Sequence, residues 1–535
     1  MAKILITNGE TDSMTTLLYN SMFILSGGSA NETTLKDESI LNVSKGGETG
    51  NTYISSGGTV NIFKGGLAWR VNLYDMGSLF VSKGGKLEKA YVNGCGTVDI
   101  CKGASAGEVN VSGGGFATFS GSVSSAAVHM GGTIDVCGGT IDSAVVYSGT
   151  ITLSKGTIGS AVVHKDYLNV CKGGTANNVS VEKNAIVMID GGAVNDLTVK
   201  GGDILAHGGT INRLSVDVGY VYISDGGTLK DVTVNKDGRI EIVNATAGNL
   251  TVLEGVVNVD SGGKLTGATL SNADLHVSSG GTVSKLTLED NCDAYLRDSG
   301  TSASDVAVKN DCGLNVYEET AANNVTLEKG GSMMLEGTVK GLRINAGTKV
   351  NVFSGAVATK VSWTPGDGVI QLDDRATISF ASKYSGVYYG LTGAFVSQTK
   401  QIDFALGTGA SAYVAKGGSA NAVELINGGT MEVWSGGTAT STTINDHCDL
   451  KVSGGLLNDT QVNGGGVLNL QCGRADSTHI FDGGEMSIEG GSASGVTIEE
   501  GGVLSIESGT ATDVNWTPFV GSLSLDSGAR ITFAN

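Results

Sequence analysis

The chain has 535 residues, 84 of them Gly and only 2 Pro, which excludes a collagen triple helix and a Pro-rich linker; its 40% apolar content excludes a chain disordered for want of hydrophobic surface. The net charge of −19, from 53 acids and 34 bases, argues against a nucleic-acid or anionic-membrane partner. No run of about 18 apolar residues offers a membrane-spanning helix.

The first stretch, MAKILITNGETDSMTTLLYNSMFIL, holds one Lys and a broken apolar run. It predicts no secretory signal, and residues 1–20 read as an N-terminal cap. A first repeat array follows over 21–360. Ile24 in FILSGG is matched by Val43 (LNVSKGG), Ile62 (VNIFKGG), Val81 (LFVSKGG) and Ile100 (VDICKG). The marks continue through Phe119, Val136, Leu153, Val170, Ile189, Ala206, Ile223, Ile242 and Val259. They end with Val277, Leu296, Val316, Leu335 and Val352, at spacings of 17–20 residues throughout. Each unit holds a second apolar pair, such as Val179 and Val181 in NNVSVEK or Val232 and Val234 in KDVTVNK. Both pairs alternate apolar with polar, the period of a strand with one buried face. A unit reads as strand, GG turn, short segment, strand, polar turn.

Such units are too short for a βαβ crossover, which needs about 30 residues, and none carries a helical stripe. Hairpins would alternate too, but do not require units that align side by side. The pattern predicts an all-β parallel β-solenoid with one unit per coil, Gly-Gly supplying positive φ at sharp corners and Pro avoided because it breaks ladders. At about 4.8 Å per coil, some 26 coils make a rod of roughly 125 Å.

The period fails between Val352 and Val414, within a WTP terminator and aromatic-rich junction over 361–410. A second array spans 411–513, marked by Val414, Val433, Val452, Leu470, Ile488, Ile506 and Leu525. A second WTP terminator spans 514–535, where VNWTPFVGSLSLDSGARITFAN echoes VSWTPGDGVIQLDDRATISFAS. The echo sets Trp363 over Trp516, at an inward site that other coils fill with Val, Leu or Ile. The junction concentrates Phe380, Tyr384, Tyr388, Tyr389, Phe395 and Phe404. It reads either as a packed junction or as an exposed binding protrusion.

The units SGGTVNIFKGG, SGGTVSKLTLEDN, KGGTANNVSVEKNAIVMIDGG and WSGGTATSTTIND resemble the repeats of AIDA-type self-associating autotransporter adhesins, over roughly residues 20–360 and 410–535. The resemblance implies a right-handed parallel β-helix, pectin-lyase-like, secreted or displayed on the surface of Gram-negative cells. It implies adhesion, autoaggregation and biofilm growth, with O-heptosylated Ser or Thr in some members. The chain departs from the family in showing no signal peptide and no translocator barrel of alternating strands.

Chemistry is sparse. No catalytic, cofactor or metal constellation is expected, since HExxH, GxxxxGK[ST], CxxC and the calcium nonapeptide are all missing. GASAG around Ser105 matches GxSxG, but it sits in a repeat corner with no helix to follow. Asp373, Asp374 and Arg375 are the densest charged cluster, and the duplicate does not keep the acid pair. His129, Tyr147 and His164 fall beside the second strand of three successive coils, either as a ladder that contacts a sugar or as a surface stack. Outward Asn42, Asn61, Asn169, Asn258, Asn315, Asn351 and Asn469 are expected to satisfy one another along the stack. The eight cysteines are unusual beside the family's Cys-poor passengers. Cys101, Cys137 and Cys171 each follow a mark in every second coil, with Ser120 and Ser154 between them. That places them about 9.6 Å apart, beyond the roughly 4.4–6.8 Å Cα window of a disulfide. Cys292 and Cys312 each precede a mark by four residues in consecutive coils, about 5 Å apart. They are either side-by-side thiols or a disulfide.

The reading that results is a surface adhesin rod working by many weak polar contacts. Its partners would be other copies of itself, or host or bacterial surface glycans or proteins. The alternatives are a polysaccharide lyase or glycosidase on the same fold, or a phage or envelope fibre.

Overall fold

The computed structural model describes residues 3–363, 368–372, 376–381, 389–390, 404–407, 411–414 and 419–535. Among them there are strands, turns and bends but no helix, and the ladders are parallel. Two compact units divide the chain, Met1–Ala268 and Thr269–Asn535.

In the first unit each coil lies on the one before it, residue on equivalent residue. Thr59–Ile62 pairs with Ile40–Val43 on one side and with Ser78–Val81 on the other, so Val43, Ile62 and Val81 stack in one column. The same column carries on through Ile100, Phe119, Val136 and Leu153. All of these side chains are fully buried. Inward columns of Val, Ile, Leu and Ala from the other sides complete the core, among them Val71–Ala90–Val109 and Leu73–Val92–Val111. Burying each Val, Leu or Ile contributes about 1.5–3 kcal/mol, and the stack multiplies that small gain coil by coil. The cap expected over 1–20 is itself a coil, with Lys3–Ile6, Thr11–Ser13 and Thr16–Leu18 paired to Ser21–Ile24, Ser29–Asn31 and Thr34–Lys36.

The two glycines of the GG corner have different duties. Gly65 has φ of 77°, the left-handed region that favours Gly. Gly66 does not, but a Cβ on it would lie 2.5 Å from the Val43 carbonyl oxygen of the coil beneath. The first glycine turns the chain and the second lets successive coils close up.

A second corner lies between the short segment and the second strand of the unit. In Gly174–Val181 the side chains of Ala176, Val179 and Val181 face in, and the two residues between Ala176 and Val179, Asn177 and Asn178, both face out. Asn178 has φ of 46°, and this break in the two-residue alternation bends the strand. The same left-handed position is held by Asp196, Arg213, Asp231 and Asn249, and in the second unit by Lys285, Asp305, Asn324 and Lys360. Asn and Asp dominate because they tolerate this conformation better than other side chains. Each coil therefore has three sides.

In the second unit the column runs Val277, Leu296, Val316, Leu335, Val352. The first array does not stop at Val352: Gly368–Leu372 pairs in register with Thr348–Val352, and Gln371–Leu372 with Tyr389–Gly390. A separate set of ladders begins at Phe404–Leu406, paired with Val423–Leu425, and carries the second array's marks. The duplicated modules fold alike. Val361 pairs with Phe380 after a register shift at Ala358, and Val514 pairs with Phe533 after the same shift at Ala511. Their tryptophans differ. Trp363 is buried opposite Ile344, whereas half-buried Trp516 stacks on Phe533 at 6.0 Å and donates to the Gly521 carbonyl.

The left-handed corner makes a direct prediction. Asp231→Gly and Asp231→Val both lose the hydrogen bond from Asn249, so their difference isolates the backbone. The Val variant should unfold at lower urea concentration than the Gly variant, by about 1–2 kcal/mol. Equal midpoints would show that the corner imposes no such conformation.

Candidate functional site

The third side of the coils that end at Val92, Val111, Val128, Val146, Val163 and Val181 closes on an inward Val, and the next residue begins an outward column. In coil order this column reads Asn93, Ser112, His129, Tyr147, His164 and Glu182. Their backbone N–H groups donate to Leu73, Val92, Val111, Val128, Val146 and Val163 of the coils beneath. The spacing of the coils brings the three ring residues together. His129 and Tyr147 stack at 4.5 Å and 13°, and Tyr147 and His164 at 5.1 Å and 12°. His164 Nδ1 lies 2.7 Å from Glu182 Oε2, and Ser112 Oγ donates to Asn93 Oδ1. The ring faces cover one another, so a sugar ring cannot lie flat on Tyr147. What this ladder offers outward is a row of ring edges, with imidazole and phenol heteroatoms suited to hydrogen bonding.

The other expected site residues are placed as follows. Tyr384, Tyr388, Asp373, Asp374 and Arg375 lie outside the described residues. The backbone of Tyr389 pairs with Gln371, and its side chain lies outside what is described. Ser105 opens the strand Ser105–Val111, with no helix behind it to make a nucleophile elbow. Among the described residues no three His, Cys, Asp or Glu side chains converge to hold a metal ion.

Of the expected Asn column, Asn42 and Asn61 bond to one another, while among the described residues the Oδ1 atoms of Asn169, Asn351 and Asn469 are left without a partner, and the longest Asn ladder lies on another column. Asn61 donates to Asn42 at 3.0 Å as its position predicts, whereas Asn169 donates to Thr152 Oγ1 at 3.3 Å. The continuous ladder is at the left-handed corner, where Asn212 donates to Asn195 and Asn195 to Asn177, both at 2.8 Å. The left-handed residues beside it bond between coils as well. Arg213 grips the Asp196 carboxylate through Nε and Nη2, and Asn324 donates to Asp305 at 3.0 Å. The Arg213 guanidinium holds the Asp196 carboxyl below its usual range. The recurring NN, ND, KD and SD before each second apolar pair was the signal for this edge.

A mixed-charge patch lies lower on the first unit. Lys89 Nζ sits 2.7 Å from Glu108 Oε2, and Asn110 donates to Glu108 at 2.6 Å. These bonds, Lys89 foremost, depress the Glu108 carboxyl. Arg70 and Lys89 both lie 4.9 Å from the Tyr91 ring centre. In the second unit His276 stacks on Tyr295 at 5.0 Å. Arg297 lies over Tyr295 and Tyr317, at 5.0 and 5.3 Å. The surface is thus a set of parallel polar and aromatic files.

The cysteines sort by column. Asp293 pairs with Gly313, which sets Cys292 beside Cys312 in consecutive coils. Both are buried, and both are free thiols. The Cys292 N–H donates to Cys312 Sγ at 3.3 Å, and Cys292 Sγ donates to the Asp290 carbonyl at 3.1 Å. Burial pushes the Cys312 thiol up to about 12. Other coils put Gly here, as at Gly238, where a Cβ would lie 2.5 Å from Val234 Cγ1. Small side chains thus suit this corner, and the two thiols fill it in their coils. Cys101 and Cys171 are half-buried and Cys137 is exposed. A register shift after Val136 sets Cys137 opposite Lys155, not Ser154 as the spacing predicts; Ser154 turns its hydroxyl to Asp135 at 2.7 Å.

Residues 408–466 match the family model described as adhesin of bacterial autotransporter system, probable stalk. Comparison with curated proteins finds no match. Among solved structures the chain is similar to a TibC-catalysed hyper-glycosylated fragment of TibA. The identity is 23% over 60% of this chain and 99% of that one, with a TM-score of 0.27.

Proposed function

We propose that this chain, whose residues 408–466 match the autotransporter adhesin stalk model, is the adhesive stalk of a cell-surface or secreted passenger, binding through its outward files and not through a catalytic cleft. The observation that supports this most is the continuous Asn177–Asn195–Asn212 ladder, with the Asp196–Arg213 pair beside it. Polar groups recur there at one per coil on an exposed edge. A single exposed polar contact is worth little, but a periodic row meets another periodic row many times over, and linked contacts add as avidity. The partner is a second copy of the chain or a surface glycan or protein that presents repeating hydrogen-bonding groups. His129, Tyr147 and His164 contribute ring edges to that contact. Beads coated with the protein should clump, and soluble protein should disperse them only at concentrations far above those of the coated sites. Incubation with glycans should release no reducing ends. Unclumped beads, or released sugars, would contradict the adhesive reading.

We further propose that Cys292 and Cys312 become joined in an oxidising compartment, where disulfides persist. One thiolate attacks a small-molecule or enzyme disulfide and expels its first thiolate, and the second thiolate then attacks the cysteine sulfur of the mixed disulfide and expels the other. The two cysteine protons end on the two thiols that the oxidant becomes. A non-reduced tryptic digest of protein folded with oxidised glutathione should contain residues 286–297 linked to 310–329. Unlinked peptides under those conditions would show that the buried corner keeps its thiols.

A further inference from the structure

Four lysines occupy one corner of four successive coils. Lys45, Lys64, Lys83 and Lys102 each stand two residues after the stacked Val43, Ile62, Val81 and Ile100, and all four are exposed. The backbone beneath them is continuous: Gly46 donates to Gly65 at 2.9 Å, Gly65 to Gly84 at 2.8 Å, and Gly84 to Gly103 at 2.8 Å. Their stems run along the stacking direction. A Cβ on Gly65, Gly84 or Gly103 would meet Cγ of Lys45, Lys64 or Lys83 at 3.0, 3.0 and 3.1 Å. Lys45, Lys64 and Lys83 therefore each pass over the glycine of the next coil, and a larger residue there would push them aside.

At about 4.8 Å per coil, the four ammonium groups are rooted within about 15 Å of one another. Like charges so close repel. The chain carries 53 acids, yet among the described residues none of the four lysines forms an ion pair. The flanking file of Ser44, Phe63, Ser82 and Cys101 carries no carboxylate, and nearby Glu48 accepts a hydrogen bond from Trp69 Nε1. The ridge is an uncompensated single file of positive charge on an acidic protein, and an anion laid along it would remove the repulsion.

We propose that this ridge binds a linear anionic polysaccharide of the polyuronate class, lying along the stacking direction with its carboxylates against Lys45, Lys64, Lys83 and Lys102. A single row of cations matches one chain bearing a charge on each sugar. Duplex nucleic acid fits it poorly, because it presents two rows of phosphates with one charge per roughly 1.7 Å of axis. The proposal rests on the adhesive reading above and names one glycan class for it.

The test is retention of the whole chain on immobilised polygalacturonate, with neutral dextran and duplex DNA as parallel arms and bead clumping measured separately. The wild type should bind polygalacturonate and not dextran, and salt should weaken binding. The variant K45Q/K64Q/K83Q/K102Q should bind about tenfold or more weaker. Its log–log salt slope should be shallower by about three, at about 0.7 per neutralised charge on a single-stranded polyanion. The corresponding fourfold Lys→Arg variant should retain binding. Exposed lysines leave the core untouched, and an unchanged thermal transition for each variant checks this; K64Q/K83Q supplies a milder case. No retention of the wild type, or equal retention of the Gln variant, overturns the proposal even where beads still clump. DNA retained as tightly and with the same lysine dependence overturns the polysaccharide assignment.

Discussion

Each coil hydrogen-bonds its backbone to the coil beneath and the coil above, and it does so at the corners as well as along the sides, as Gly46, Gly65 and Gly84 show. Unpaired backbone groups are costly to bury, so a chain that closes up coil on coil must keep equivalent residues in register. One shifted residue would turn an entire inward column to solvent. The core, the corners and the surface all follow from this constraint. Inside, it allows small aliphatic columns that nest at the coil spacing. Outside, it lines up like residues in files, whether they attract, as at Asp196 and Arg213, or repel, as at the lysine ridge.

Much of this was legible in the sequence because the constraint acts on spacing. The marks from Ile24 to Val259, and again from Val277 to Val352, fall on residues that the strands pair directly. So do those from Val414 to Leu525. The pairing of Cys292 with Cys312 and the stack of His129, Tyr147 and His164 followed from the same arithmetic. Two-residue alternation was a poorer guide. It separated the short segment from the second strand but gave no corner between them, where a left-handed residue such as Asn178 breaks parity without breaking the apolar pattern. The conformation of Asn178 or Asp231 comes from tertiary closure, and only the recurrence of Asn and Asp at that place betrays it. Spacing also misjudged the array's end: Leu372 continues the column of Val352 at a point where the residues around it no longer resemble the repeat.

The surface chemistry divides along similar lines. Which residues share a file can be counted from sequence, but what the file does depends on side-chain direction. Stacking turns the faces of His129, Tyr147 and His164 toward one another and leaves only edges to a ligand. Register drift at Val136 moves Lys155 opposite Cys137. A repeat of this kind adapts to a partner by changing outward residues one coil at a time, since the inward columns and the glycine corners carry the fold.

The central claim is that distance along the first unit counts coils and not residues. Spin labels on Thr59 paired with Thr133, and on Thr59 paired with Tyr167, sit on one column four and six coils apart. In a background with the native cysteines replaced by Ser, pulsed dipolar measurements should give backbone separations near 19 and 29 Å, at about 4.8 Å per coil. Separations that fail to grow in that four-to-six proportion would contradict the in-register stack, and with it every column described above.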